Sequence, residues 1–287
     1  MRTIQQAIDQ AKTLTHNNNH IRALIFQGSL VMPDPKIDAF TDIDPLFIVD
    51  DLNIFINDES WINIFGTPIA RFNDEIDINQ SVTWYTRLMI MDDHFKIDAS
   101  FMHVKDICFI HEFPLYKTII DKDNIVPKPS FNDASAFYVN KPSQELYSKT
   151  IQSFFIDTSY VIKSLRRGEF FFTRHMYHVL NQKLKKLLSW YVGVFNDFNI
   201  NIGSEGRYLF DILDKKTRAL LLETFAGKTM DDNFKALDAY VSLVGHLGRT
   251  IEKHLGYPYP YQTEKDMIRY IKETKHRPLD SQQDITL

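Results

Sequence analysis

A chain of 287 residues with 44% hydrophobic and 24% charged residues has enough apolar surface for one large domain or two ordinary ones, within ordinary globular composition. The net charge of -4 excludes a global basic field that would draw the chain to nucleic-acid phosphates. No apolar run approaches the roughly 18 residues that a membrane span needs, so neither nucleic acid nor membrane is expected as a partner.

The single cysteine, Cys108, excludes an intramolecular disulfide and a cysteine-based zinc cage. Between Ile107 and Phe109 it reads as a small core residue. The opening stretch Met1-Arg2-Thr3-Ile4-Gln5-Gln6 lacks an apolar segment of signal-peptide length, which makes the cytoplasm the expected compartment.

In chain order, Ile4, Ala7, Ile8, Ala11 and Leu14 recur at helical spacing and predict a first amphipathic helix. The short apolar run 21–26 stops at Gly28-Ser29, as a buried strand does. A loop punctuated by Pro33 and Pro35 follows, then a second strand over 42–49. Residues 58–65 predict a short helix, capped by Asp58 or Ser60 and stopped by Gly66. Two strands over 82–91 and 95–102 form a hairpin turning at Asp92-Asp93-His94.

From about Pro142 onward long helical patterns dominate: 146–165, closed by Arg166-Arg167 and Gly168, then 176–195, then 234–255 up to Gly256. Pro127, Pro129 and Pro142 cluster in a polar stretch and mark the boundary. The expected class is α+β, with a mixed sheet in domain 1–135 and a helical bundle in domain 136–287.

Three features of the first half carry chemistry. Asp42 and Asp44 project from one face of a strand because side chains alternate. Asp98, flanked by Ile97 and Ala99, points away from the core face of a later strand. If those strands are neighbours, the three carboxylates converge, and carboxylates held so close call for a cation such as magnesium, which takes one or two of them plus substrate phosphates. Gly28-Ser29 after a strand is a turn through which backbone N–H groups and a hydroxyl can approach phosphate. Two ions about 4 Å apart suit transfer of a nucleotidyl group, since attacking and leaving oxygens both carry developing charge.

These residues resemble a known family. Ile21-Arg22-Ala23, Gly28-Ser29 and Phe40-Thr41-Asp42-Ile43-Asp44 are similar to the aminoglycoside 6-adenylyltransferases, the streptomycin-modifying branch of the polymerase-beta-like nucleotidyltransferases. The likeness runs on through Trp61-Ile62-Asn63-Ile64-Phe65-Gly66, Leu88-Met89, Lys96-Ile97-Asp98, Ile120-Asp121-Lys122-Asp123, Leu187-Leu188-Ser189-Trp190-Tyr191 and Leu255-Gly256-Tyr257-Pro258-Tyr259, which is nearly the whole chain. It implies a nucleotidyltransferase domain and a helical substrate-binding domain, with ATP and drug in the cleft between them. It further implies that Ser29 holds ATP phosphates, that Asp42 and Asp44 bind magnesium, and that Asp98 is the third catalytic carboxylate. By the same resemblance Arg174 and Arg207 are basic positions for the triphosphate and Glu169 an acid facing a cationic acceptor. The implied activity is magnesium-dependent transfer of AMP from ATP to an aminoglycoside hydroxyl, with release of pyrophosphate.

The chain departs from that pattern in having Leu30 where the family usually has Arg after Gly-Ser, Pro45 directly after Asp44, and Arg207 where the loop before its Tyr usually has Lys. Another small-molecule or protein acceptor, or a decayed nucleotide-binding protein, are the competing readings. Retention of all three acids argues against decay. Asp74, Glu75 and Asp77 read as a solvated loop. His16 with His20 and His175 with His178 lack a third nearby ligand; Lys183, Lys185 and Lys186 read as the wet side of a helix; Trp190 and Tyr191 read as core.

Overall fold

The computed structural model describes residues 2–33, 35–78 and 82–279. The chain divides into two compact units, Met1–Ala136 and Phe137–Leu287.

In the first unit, α1 (Ile4–Asn17) is opened by a capping box in which Thr3 and Gln6 satisfy each other's backbone N–H, and it buries Ala7, Ala11 and Leu14. A six-stranded sheet follows: β1 (Ile21–Phe26), β2 (Pro45–Val49), β3 (Pro68–Ile78), β4 (Val82–Met91), β5 (Lys96–His103) and β6 (Lys117–Asp121). Its spatial order is β3-β4-β5-β2-β1-β6. The pairing of β2 with β5 is parallel and the other four are antiparallel, so the sheet is mixed. Every residue of β2 is buried, as a central strand covered on both faces requires. The short α2 (Leu52–Asn57) and the 3-10 helix Glu59–Phe65 pack beside it.

The two faces differ. One carries Leu24, Phe47, Val49, Tyr85, Ile97 and Phe101 with α1 against them. Its centre is Phe101, whose ring lies 4.8 Å from those of Phe55 and Trp61 and 5.0 Å from that of Phe47. The other face buries a smaller set, among them Ala23, Ile25, Leu46, Ile48, Trp84 and Met102.

The second unit is helical: α3 (Gln144–Arg167), α4 (Phe170–Val194), the short α5 (Leu209–Ile212), α6 (Lys215–Glu223), α7 (Met230–Leu255) and α8 (Tyr261–His276). Gly168 ends α3 in the left-handed region at φ 71°, with Arg166 and Arg167 in the last turn. One apolar core joins the helices, and Tyr147 on α3 donates its hydroxyl to the Gly248 carbonyl on α7 at 2.8 Å. No helix among the described residues is long and apolar enough to cross a membrane.

Several expectations are corrected. The strand expected over 42–49 begins at Pro45; Ile43 forms only an isolated bridge to Ile97, because the loop reaches the sheet at a single residue there. The helix expected over 58–65 is a 3-10 helix with Asp58 as its cap, and α2 precedes it. Strands β3 and β6 and helices α6 and α8 were not expected. Asp74 lies on β3 rather than in a loop; the side chains of Glu75 and Asp77 lie outside the described part of the structure. Helix α4 begins at Phe170, six residues before the expected start at 176. Cys108 is exposed, because the segment Val104–Glu112 is a 3-10 helix that buries Ile110 and packs Val104 and Ile107 inward while position 108 faces solvent.

Truncating the central ring tests the packing. Phe101→Ala is expected to cost about 3–5 kcal/mol of stability by deleting a fully buried aromatic. Urea denaturation, followed by the fluorescence of Trp61 and Trp84, checks it.

Candidate active site

Strand pairing assembles the acids. Alternation along β2 places Leu46 and Ile48 on the less covered face, so Asp44, just before the strand, continues that row. On β5, Ile97 and Ala99 are fully buried on the opposite face, which turns Asp98 to the side of Asp44. The Asp98 backbone N–H donates to the Ile43 carbonyl at 3.0 Å, locking the two segments side by side. Carboxylate oxygens of Asp42, Asp44 and Asp98 all lie within 4.8 Å of one another. Among the described residues this is the one group of three or more His, Cys, Asp or Glu side chains with the geometry of a metal site.

The carboxylates differ in surroundings. Burial, then the charges of Asp42 and Asp98, push the Asp44 carboxyl up to about 7, with Lys96 pulling the other way. Oδ1 of Asp98 is buried and has no hydrogen-bond partner among the described residues. Its Oδ2 accepts from the Lys96 ammonium, which also donates to Asp42 Oδ2 at 3.2 Å. Burial presses Lys96 toward the neutral amine, but its bonds with Asp98 and Asp42 outweigh that, and its pKa is raised. A desolvated carboxyl, a buried oxygen without a partner and crowded like charges are what a divalent cation would relieve, so the residues fit magnesium.

The Gly28-Ser29 turn abuts this cluster. Gly28 has φ 73°, and a Cβ there would come within 2.3 Å of Asp44 Oδ2, so both the backbone and the carboxylate demand glycine. Gln27 donates its backbone N–H to the Asp44 carbonyl at 3.3 Å, and its own Oε1 is buried without a hydrogen-bond partner among the described residues. Ser29 sits in the 3-10 turn Gly28–Val31. Leu30 explains its departure from the familiar Gly-Ser-Arg: it packs against the apolar cluster of the covered face.

The structure brings Asp42, Asp44, Asp98 and Gly28 together. Glu169, Arg174 and Arg207 belong to the second unit. Glu169 is the residue before α4, makes no side-chain cap, and meets Arg167 at 3.9 Å. Arg174 lines a cavity of about 600 Å³ with Tyr177, His178, Thr224 and Lys228. Arg207 follows the 3-10 turn Ser204–Gly206, against Gly203.

Sequence reasoning missed Lys96, although its spacing of two from Asp98 on one strand puts both on one face. It also missed the half-buried pair of Lys183 with Asp157, and Lys185 pairs with Glu205 rather than standing free in water. His20 pairs with Asp50 at 2.8 Å. Trp190 and Tyr191 are buried in the helical core.

The family model described as streptomycin adenylyltransferase matches residues 1–274. An aminoglycoside 6-adenylyltransferase of Campylobacter jejuni is 24% identical over 282 residues, which is 96% of this chain and 97% of that protein. One of Staphylococcus aureus is 24% identical over 283 residues, covering 95% and 98%. The crystal structure of an aminoglycoside 6-adenyltransferase from Bacillus subtilis aligns with 96% of this chain and 100% of its own at 18% identity and a TM-score of 0.48.

The raised Asp44 pKa has a definite sign. Folding favours the neutral acid, so its contribution to stability is intact below the ordinary value of 3.8 and is lost as pH rises toward about 7. Asp44→Asn removes that loss: in chelator the variant is expected to exceed the parent chain by about 4 kcal/mol at pH 8, and nearly to match it near pH 4, by urea denaturation. Gly28→Ala is expected to displace the Asp44 carboxylate and to lose divalent-cation binding by about tenfold or more, read by calorimetry with manganese.

Proposed function

The chain belongs to the streptomycin adenylyltransferase family, and from that premise we propose that it transfers AMP from ATP to a hydroxyl of an aminoglycoside and releases pyrophosphate. The observation that carries the reading is the convergence of Asp42, Asp44 and Asp98 on one face of the sheet, beside a glycine turn, in a chain of this family. Relatives at 24% identity bear the name aminoglycoside 6-adenylyltransferase, which supports an aminoglycoside acceptor.

In this proposal Asp42, Asp44 and Asp98 would hold magnesium, as two ions, with Asp98 serving the acceptor side rather than the nucleotide. When bound the metal would offset charge on the phosphates and make the attacking hydroxyl more acidic. Everything else falls to the chain. Gly28 lets the backbone approach the triphosphate, and the Ser29 hydroxyl donates to a phosphate oxygen. Asp98 takes the proton of the acceptor hydroxyl as the new O–P bond forms and the bond to pyrophosphate breaks. Arg174 and Arg207 supply fixed positive charge for phosphate, and Glu169 offers a carboxylate to a cationic acceptor. Retention of all three acids argues against a decayed nucleotide-binding protein. The soluble setting proposed is the cytoplasm.

Two measurements test the reading. Pyrophosphate release from magnesium and ATP, followed across a panel of aminoglycosides and unrelated acceptors, is expected only with an aminoglycoside. Release with an unrelated acceptor alone overturns the acceptor and keeps the chemistry. Asp98→Asn is expected to bind Mg-ATP like the parent chain and to lose transfer by about a hundredfold. Loss of nucleotide binding together with transfer would make Asp98 a ligand of the nucleotide's metal and not the proton acceptor.

A further inference from the structure

Among the described residues, Lys96 is the one positive group bonded within the acid cluster. It sits two residues before Asp98 on β5, on the same face, and its ammonium bonds Asp98 Oδ2 and Asp42 Oδ2. Two of the three carboxylates that fit a divalent ion therefore already share a cation that belongs to the chain. An ammonium has three donors and no acceptor, and rides on a flexible four-carbon stem. Its side chain is 45% exposed, so it has room to leave.

A divalent ion takes carboxylate oxygens at about 2.0–2.6 Å. Placed among these oxygens, it would stand beside the ammonium, and the two cations would repel. Both cations compete for one pair of carboxylates.

We propose that Lys96 is a resident cation that occupies the divalent-ion position between Asp42 and Asp98 and is displaced when the metal enters with its nucleotide. The proposal rests on the reading of Asp42, Asp44 and Asp98 as the metal site. Lys96 keeps the acids from flying apart while the site waits, and it weakens the capture of a free ion that brings no nucleotide. Once displaced, the ammonium lies within a side chain's reach of the arriving phosphates, the one new anion in the site. It acts as a positioning residue and takes no proton.

The test is manganese alone, titrated calorimetrically into the full chain without nucleotide. Lys96→Gln is expected to bind manganese about tenfold more tightly than the parent chain, since a unit charge at contact distance is removed. Lys96→Arg keeps the charge and is expected to bind as weakly as the parent, which guards against a folding artefact. Lys105→Gln loses the same charge on an exposed 3-10 segment outside the cluster and is expected to shift affinity by less than about twofold in physiological salt. Melting in the same samples adds a second readout: manganese is expected to raise the melting temperature of Lys96→Gln more than that of the parent. Equal or weaker manganese binding by Lys96→Gln overturns the proposal while leaving the metal site intact. Failure of every form to bind manganese, with adenylyl transfer continuing in chelator, overturns the metal site and this proposal together.

Discussion

Three carboxylates do not assemble by their own attraction. Something stiffer must hold them, and here it is the parallel pairing of β2 with β5, in register from Leu46 opposite Ser100 to Val49 opposite His103. That ladder fixes Asp44 and Asp98 at matching heights on one face, and the bond from Asp98 N–H to the Ile43 carbonyl extends it by one step into the loop that carries Asp42. The opposite face supplies the rigidity. Phe47 on β2 and Phe101 on β5 stack there, so the aromatic core clamps the same two strands whose other sides carry the charge. Burial of apolar rings thus offsets the repulsion between acids, and the residues nearest the chemistry depend on residues that never touch it.

The acid triad was legible in the sequence for a simple reason. The apolar pair Ile97 and Ala99 is enough to turn Asp98 outward, and a spacing of two set Asp42 with Asp44, although the strand assumed for them begins only at Pro45. What the pattern lacked was the neighbour relation between the strands, because β2 and β5 are separated in sequence by two further strands. The hairpin at Asp92-Asp93-His94 and the end of α3 at Gly168 were equally plain, each being written in turn and cap chemistry.

The elements that were not legible share a weak hydrophobic signal. Strand β3 is an edge strand with Arg71, Asn73 and Asp74 along it, polar enough to read as loop, and its long ladder with β4 makes it a strand. Helix α8 buries only Ile271, so its stripe is too thin to stand out. The start of α4 hides in Phe170, Phe171 and Phe172, three apolar residues in a row that carry no period, and all three remain exposed. Lys96 was passed over because charged residues on strands are usually solvated; its spacing from Asp98 was readable, but its second partner is visible only once Asp42 is folded against it.

Leu30 gives the phosphate turn an unusual physical character. The turn is fastened to the first unit by a half-buried apolar side chain packed against its core, where a charged side chain would have fastened it by ion pairing. Ion pairs at a surface fade with ionic strength, whereas apolar burial is indifferent to it and strengthens in the presence of excluded salts. Apolar burial also weakens on cooling. The anchor that Leu30 gives the turn is therefore one that weakens on cooling rather than with ionic strength, so cold is the condition that loosens its share of the hold on Gly28 and Ser29.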